Sequence, residues 1–216
     1  MLLLGGLLVC LLTVRSWGGD WRPLFDGKSM AGWIKAPFGG SGDVEVMDGA
    51  LVLHQGLITG ANYTNPVPRV DYEVEIEARR VVGNDFFCGL TLPVRDSFAT
   101  LIVGGWGGSV MGISSIDGND AAHNETTVHR RFEAGRWYRI RLKVTAGSVE
   151  GWLDGDSVFK ADIRDKKISL RPGDIELSKP FGIATYSTTG EIRAVRLREL
   201  GEEGGKPGGA TAGSKP

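Results

Sequence analysis

The sequence predicts an all-β protein, an antiparallel sandwich of two sheets. Three observations carry this expectation. Apolar and charged residues alternate with a period of two along Val70–Arg80 and Tyr138–Val144, which puts one apolar edge on each segment when it is extended. The dipeptides Asp48-Gly49 and Asp154-Gly155 each separate two short apolar runs, the chemistry of a two-residue hairpin turn. No segment of helical length keeps a 3.6-residue period. At 216 residues the chain suits one domain, because sandwiches run to about 200–250 residues as a single unit.

Taken in order, the chain opens with MLLLGGLLVCLLTV, ended by Arg15. This run falls short of the roughly 20 apolar residues needed to span a bilayer. It fits the apolar part of a secretory signal, with cleavage among Ser16, Gly18 and Gly19. Residues 1–19 are therefore expected to be a leader, the mature chain to be secreted or periplasmic, and no membrane span to remain. Loss of Cys10 with the leader leaves Cys88, within Phe86-Phe87-Cys88-Gly89-Leu90. A single cysteine forms no internal disulfide, and its apolar neighbours predict a buried structural thiol.

Val44–Met47 and Ala50–Leu53 flank the first Asp-Gly turn, and that register pairs Val46 with Leu51 and Val44 with Leu53. In Val70–Arg80, the residues Val70, Tyr72, Val74, Ile76 and Ala78 are expected in the core. Asp71, Glu73, Glu75, Glu77 and Arg79 then form a wet outer face. Tyr138, Ile140, Leu142 and Val144 alternate with Arg139, Arg141 and Lys143. Val149–Leu153 turns through Asp154-Gly155-Asp156 into Ser157-Val158-Phe159, and Phe181–Tyr186 and Glu191–Leu200 supply the closing strands. From Gly201, GEEGGKPGGATAGSKP carries no large apolar residue and is expected to be a disordered tail. A formal net charge of −1 with interspersed signs argues against nucleic acid as a partner.

One stretch exceeds what folding requires. Ile102–Thr126 reads IVGGWGGSVMGISSIDGNDAAHNET. Glycines surround Trp106, whose indole is a good platform for a sugar ring. A run of polar groups follows: Asp117, Asn119, Asp120, His123, Asn124 and Glu125. Loops on rigid β scaffolds often carry function, and Trp106 and this loop are expected to converge beside a groove. A glycine-rich strand end followed by a plain surface loop is the competing reading.

The opening Trp21-Arg22-Pro23-Leu24-Phe25-Asp26-Gly27-Lys28-Ser29-Met30-Ala31-Gly32-Trp33 resembles that of the 3-keto-disaccharide hydrolase family. Further elements follow in the family's order: Asp48-Gly49-Ala50-Leu51, Asp71-Tyr72-Glu73, Gly135-Arg136-Trp137-Tyr138, Trp152-Leu153-Asp154-Gly155, and Ile192-Arg193 through Leu197-Arg198-Glu199-Leu200. The resemblance covers about residues 20–200. It implies a concanavalin A-like jelly roll whose concave face can hold a sugar, and cleavage of glycosides oxidised to a ketone at carbon 3. Family members carry a Y-E-x-Q-[IV] strand where this chain reads Ala99-Thr100-Leu101-Ile102-Val103.

Such a reaction needs a base at the acidified carbon-2 proton, an acid at the leaving group and a polarised ketone. His123, Glu125 and Asp117 are the candidate proton-transfer groups. Trp106, Asn119, Asp120 and Asn124 are the candidate binding residues. Asp117, Asn119 and Asp120 would also offer hard oxygen ligands to calcium or another divalent cation; their spacing does not match an EF-hand, and no metal ligand is assigned. The Glu73, Glu75, Glu77 ladder invites comparison with β-glucanases, but five successive charged positions read as a solvated face. His54 and His129 read as incidental. The expected partner is a carbohydrate or glycoside. The rival to an enzyme is a non-catalytic carbohydrate-binding or accessory module of the same fold.

Overall fold

The computed structural model describes residues 19–201. The expected leader, residues 1–18 of it, and the expected tail from residue 202 lie outside the described residues.

Among the described residues fifteen strands form two sheets, and every pairing between them is antiparallel. They are β1 (Arg22–Pro23), β2 (Trp33–Lys35), β3 (Val44–Met47), β4 (Ala50–Leu53), β5 (Ile58–Tyr63), β6 (Tyr72–Gly83), β7 (Cys88–Val94) and β8 (Ser97–Gly104). After a helical turn at Gly105–Gly108 come β9 (Val110–Ser114), β10 (Val128–His129), β11 (Tyr138–Val144), β12 (Ser148–Leu153) and β13 (Asp156–Asp162). A 3-10 turn at Asp174–Ser178 precedes β14 (Gly182–Tyr186) and β15 (Thr188–Glu199). One sheet runs β13-β12-β11-β6-β15-β4-β3, with β1 on β15; the other runs β10-β9-β8-β7-β14-β5-β2.

The core lies between the sheets because each strand presents its alternate apolar set there. Tyr72, Val74, Ile76 and Ala78 of β6 and Tyr138, Ile140, Leu142 and Val144 of β11 face Leu90 and Leu92 of β7, Leu101 and Val103 of β8, and Ile113 of β9. Both Asp-Gly hairpins form as expected. Val44 pairs with Leu53 and Val46 with Leu51, and Asp48 and Gly49 both take positive φ, as do Asp154 and Gly155. Leu24 and Phe25 are buried, and the Leu24 N–H donates to the Val195 carbonyl of the closing strand at 2.8 Å. Cys88 is a buried free thiol, and desolvation pushes its pKa up to about 12.

Two expectations on β6 need correction. Val70 is only half-buried, because it precedes the strand at a bend where Asp71 takes a φ of 55°. Glu73 is buried, and Glu75 and Glu77 are half-buried, rather than exposed, for a reason that lies in β15. Ala194, at φ 53°, inserts one extra residue between Arg193 and Arg196. This β-bulge restores the outward direction of the arginines, so Arg193, Arg196 and Arg198 stand opposite Glu77, Glu75 and Glu73. Each arginine donates to its glutamate. Trp21 caps Arg196 and Arg198 at 5.0 and 4.7 Å from ring centroid to guanidinium carbon, and Trp137 caps Arg193 at 4.0 Å. The acidic ladder is thus zipped to arginines under tryptophans, and none of its carboxylates lines either of the two clefts described below.

Candidate functional site

The outward face of the β10-to-β2 sheet carries a row of small residues in register, Gly60 on β5, Ala184 on β14, Gly89 on β7 and Gly112 on β9, interrupted on β8 by Ile102. Small side chains there let other segments settle on the sheet. A Cβ on Gly60 would lie 2.8 Å from the Phe38 ring, and one on Gly89 would lie 3.0 Å from Phe86. Phe38, Ile58, Ala184, Phe86 and Ile175 pack together on one side. Ile102, Val110, Ala121 and Phe86 do so on the other.

Between these two clusters a cleft of about 450 Å³ remains open, within the ~300–1,000 Å³ range of small-ligand sites. Thr100 and Ile102 of β8 and Ser114 of β9 line it, with Ile58 and Tyr186 from β5 and β14. Asp85, Phe86, Trp106, Arg171, Pro172, Asp174, Ile175 and Leu57 complete the lining.

Trp106 owes its position to the glycines around it. It sits in the β8–β9 connection at φ 50°, ψ 56°, between Gly104 (φ 79°) and Gly107 (φ 78°). A left-handed conformation costs a non-glycine residue about 1–2 kcal/mol, so the surroundings must hold it. The Asp85 carboxylate does part of this, accepting the N–H of Gly107 at 3.3 Å and of Phe86 at 2.7 Å. A Cβ on Gly105 would come within 2.7 Å of Ile102, so the turn lies flat on the sheet. The indole remains 37% exposed, with the Arg171 guanidinium 5.8 Å from its ring centroid. Across the cleft, Tyr186 is 40% exposed and stacks on Phe86 at 5.9 Å and 29°. The left-handed turn thus presents an aromatic face to the cleft.

Of the residues singled out in the sequence, Trp106 lines the cleft, whereas Asp117, Asn119, Asp120, His123, Asn124 and Glu125 are absent from its lining. The loop that holds them begins directly after Ser114, at the cleft wall, and is tied up in its own contacts. Asn124 Nδ2 donates to the carbonyls of Ile113 and Asp120, and its Oδ1 accepts from the Thr126 N–H and hydroxyl. Asp120 accepts from the Ala122 N–H and pairs with His123 Nδ1 at 2.7 Å. Asp117 and Glu125 lie 3.1 and 3.6 Å from Lys166 Nζ. The Lys167 N–H and then Lys166 hold the Asp117 carboxyl below its ordinary pKa, while Asp117 raises that of Lys166. The Asn119 N–H closes a turn on the Ile116 carbonyl. Among the described residues no group of three or more His, Cys, Asp or Glu side chains is arranged to hold a metal ion.

Sequence reading missed Asp85, Phe86, Arg171, Asp174 and Tyr186 as lining residues. Tyr186 carried a signal, since it follows Gly182 and Ala184 in one alternate row of β14 as a large aromatic, 40% exposed. Arg171 and Asp174 come from an irregular segment with no period to read. Of the two lining carboxylates, Asp85 is engaged by backbone N–H groups. Asp174 has no hydrogen-bond partner for its side chain among the described residues, while Thr100 Oγ1 is paired with Thr91 at 2.8 Å.

Fold and cleft together define a jelly-roll sandwich of the kind shared by carbohydrate-binding modules and glycosyl hydrolases. Similar solved structures include the carbohydrate-binding module CBM66 from Bacillus subtilis, at TM-score 0.54 and 12% identity, with 78% of this chain and 96% of that one covered. A putative glycosyl hydrolase from Parabacteroides distasonis aligns at TM-score 0.53 and 15% identity, over 84% and 94%. The Crh5 transglycosylase solved with NAG aligns at 0.54 and 11%, over 87% and 85%. The sequence of residues 20–198 matches the 3-keto-alpha-glucoside-1,2-lyase-like domain, and the chain belongs to that family. No curated protein is significantly similar to it in sequence. No helix among the described residues is long and apolar enough to cross a membrane.

Proposed function

We propose that the protein binds a glycoside in the Trp106 cleft, with one sugar ring stacked on the indole and a neighbouring ring against Tyr186. The observation that carries this reading is the half-exposed tryptophan, held in a left-handed turn at the mouth of a cleft with aromatic walls. Aromatic faces bind the apolar faces of sugars, and a few convergent polar groups fix orientation. Asp174, Arg171 and Ser114 are the polar groups available here. Export goes with this reading, supported by the leader-like run Met1–Val14.

Binding is favoured over hydrolysis by what the cleft floor lacks. Thr100 and Ile102 stand in the lining in the strand where the family carries glutamate and glutamine. The enzymatic reading, cleavage of a 3-keto glycoside, has support from family membership. Its proton-transfer groups would be His123, Glu125 or Asp117, reached by a substrate extending from the cleft to the loop beyond Ser114.

One experiment separates the two readings. The purified domain is incubated with a 3-keto glucoside and with its unoxidised parent, each with and without chelator, and both binding and product are measured. Binding without product is expected, weakened by about 1–3 kcal/mol in Trp106→Ala, the scale of losing one aromatic platform. Turnover of the keto sugar that falls about 10²–10⁴-fold in His123→Ala or Glu125→Gln would instead establish the enzyme. Unchanged binding in Trp106→Ala would remove the cleft as the site.

A further inference from the structure

We propose that the cleft adjoining the Trp106 turn is a subsite for an anionic group, so that the ligand is an acidic oligosaccharide bearing a carboxylate or a sulfate ester. The inference rests on the Trp106 cleft being a sugar site, and it names the class of sugar.

The second cleft measures about 700 Å³ and is lined by Gly107, Gly108, Arg80, Arg130, Arg131 and Glu133, among others. Trp106 lines the first cleft and Gly107 the second. Consecutive Cα atoms are about 3.8 Å apart, so the two linings meet within one residue. A ligand long enough to pass the Trp106–Gly107 turn would reach the cleft that holds the arginines.

Arginines without ion pairs among the described residues cluster in this cleft. Several arginines elsewhere are neutralised: Arg79 by Glu191, Arg136 by Asp154, Arg193 by Glu77, Arg196 by Glu75 and Arg198 by Glu73. Arg80, Arg130 and Arg131 line the second cleft, with Glu133 the one acidic residue beside them. Among the described residues none of the three forms an ion pair. Arg80 is fixed in place: its Nη2 donates to the Phe132 carbonyl, while Nη1 is buried without a partner. Gly108 covers it closely, since a Cβ there would lie 2.7 Å from Nη1, so Arg80 contributes charge to the wall and Arg130 and Arg131 are the arginines left to contact a ligand. Arg171, on the other side of the turn against Trp106, is also free of ion pairs among the described residues.

A concave wall focuses the field of such groups on whatever enters. Guanidinium donors match the oxygens of a carboxylate or a sulfate in bidentate fashion. A neutral sugar would make no use of this charge; an acidic one would neutralise it.

The test is calorimetric titration with maltotriose, a sulfated maltotriose, trigalacturonate and inorganic sulfate, at low and at physiological salt. The wild type is compared with Arg130→Ala/Arg131→Ala. Arg131 is exposed and Arg130 half-buried, and thermal unfolding verifies the variant's fold. At least one acidic oligosaccharide should bind more tightly than maltotriose, with an advantage that shrinks as salt rises. The double variant should weaken that probe about 10- to 100-fold, the loss of one charged hydrogen-bond set, and leave maltotriose unchanged. Which acid gains more identifies the group. Equal binding of acidic and neutral probes, or an advantage that survives the double variant, overturns the inference and leaves the Trp106 cleft standing. Inorganic sulfate that binds without competing with any sugar also overturns it. Failure of every oligosaccharide to bind removes the sugar reading itself.

Discussion

Replacing Glu73 with Ala should destabilise the protein by about 2–3 kcal/mol. The Glu73 side chain is 7% exposed, its Oε2 accepts from Arg198 Nε at 2.8 Å and forms an ion pair with Nη2 of the same residue, and Arg141 lies 3.9 Å away. Breaking a fully buried pair costs about 3–5 kcal/mol, and an exposed one about 0–1. Arg198 and Arg141 keep 24% and 29% of their side-chain exposure, so part of their hydration compensates and the cost falls between those limits. At about 2–4 °C per kcal/mol for a domain of this size, the midpoint should drop by roughly 4–12 °C. The assay is thermal and urea unfolding of Glu73→Ala, Arg198→Ala, the double variant and Glu77→Ala. The double variant should cost less than the sum of the singles by on the order of 1–2 kcal/mol. Glu77 and Arg193 are 31% and 45% exposed, so Glu77→Ala should cost at most about 1 kcal/mol. If Glu73→Ala costs no more than Glu77→Ala, the ladder is an ordinary wet face and the argument from burial is wrong.

Other expectations concern single groups. Cys88, with its thiol pushed up to about 12 by burial, should resist iodoacetamide at neutral pH in the folded protein and react once denatured, as followed by peptide mass spectrometry; labelling of the native state would contradict its burial. In Lys166→Ala the Asp117 pKa should rise part of the way to its ordinary value, because the Lys167 N–H, the larger cause, remains. A depressed carboxylate stabilises the fold above its unfolded pKa and loses that contribution as pH falls through the folded one. The variant should therefore lose less stability than wild type on acidification, which carboxyl NMR titration with acid unfolding would detect.

Much of this fold is written locally. The Asp-Gly turns and the alternation in β6 and β11 rest on neighbours in sequence, and the structure keeps their registers. Glu73 was not legible, because its partner Arg198 is 125 positions away and faces it only through the bulge at Ala194. Within the site, Trp106 stood out because its glycines are adjacent to it. Asp85, Arg171 and Tyr186 meet it from three separate segments, and no local pattern brings those together. The polar loop at Asp117–Glu125 drew notice by its composition. Most of its polar groups bond to one another, to nearby backbone or to Lys166, since a long connection must satisfy its own backbone.

The most direct test of the sugar-binding cleft is an experimental structure with an oligosaccharide bound. Density for a sugar ring parallel to the Trp106 indole, with a second ring near Tyr186, is the predicted result. A ligand seated instead on the Trp21–Trp137 face of the other sheet, or on the Asp117–Glu125 loop with the Trp106 cleft empty, would contradict it.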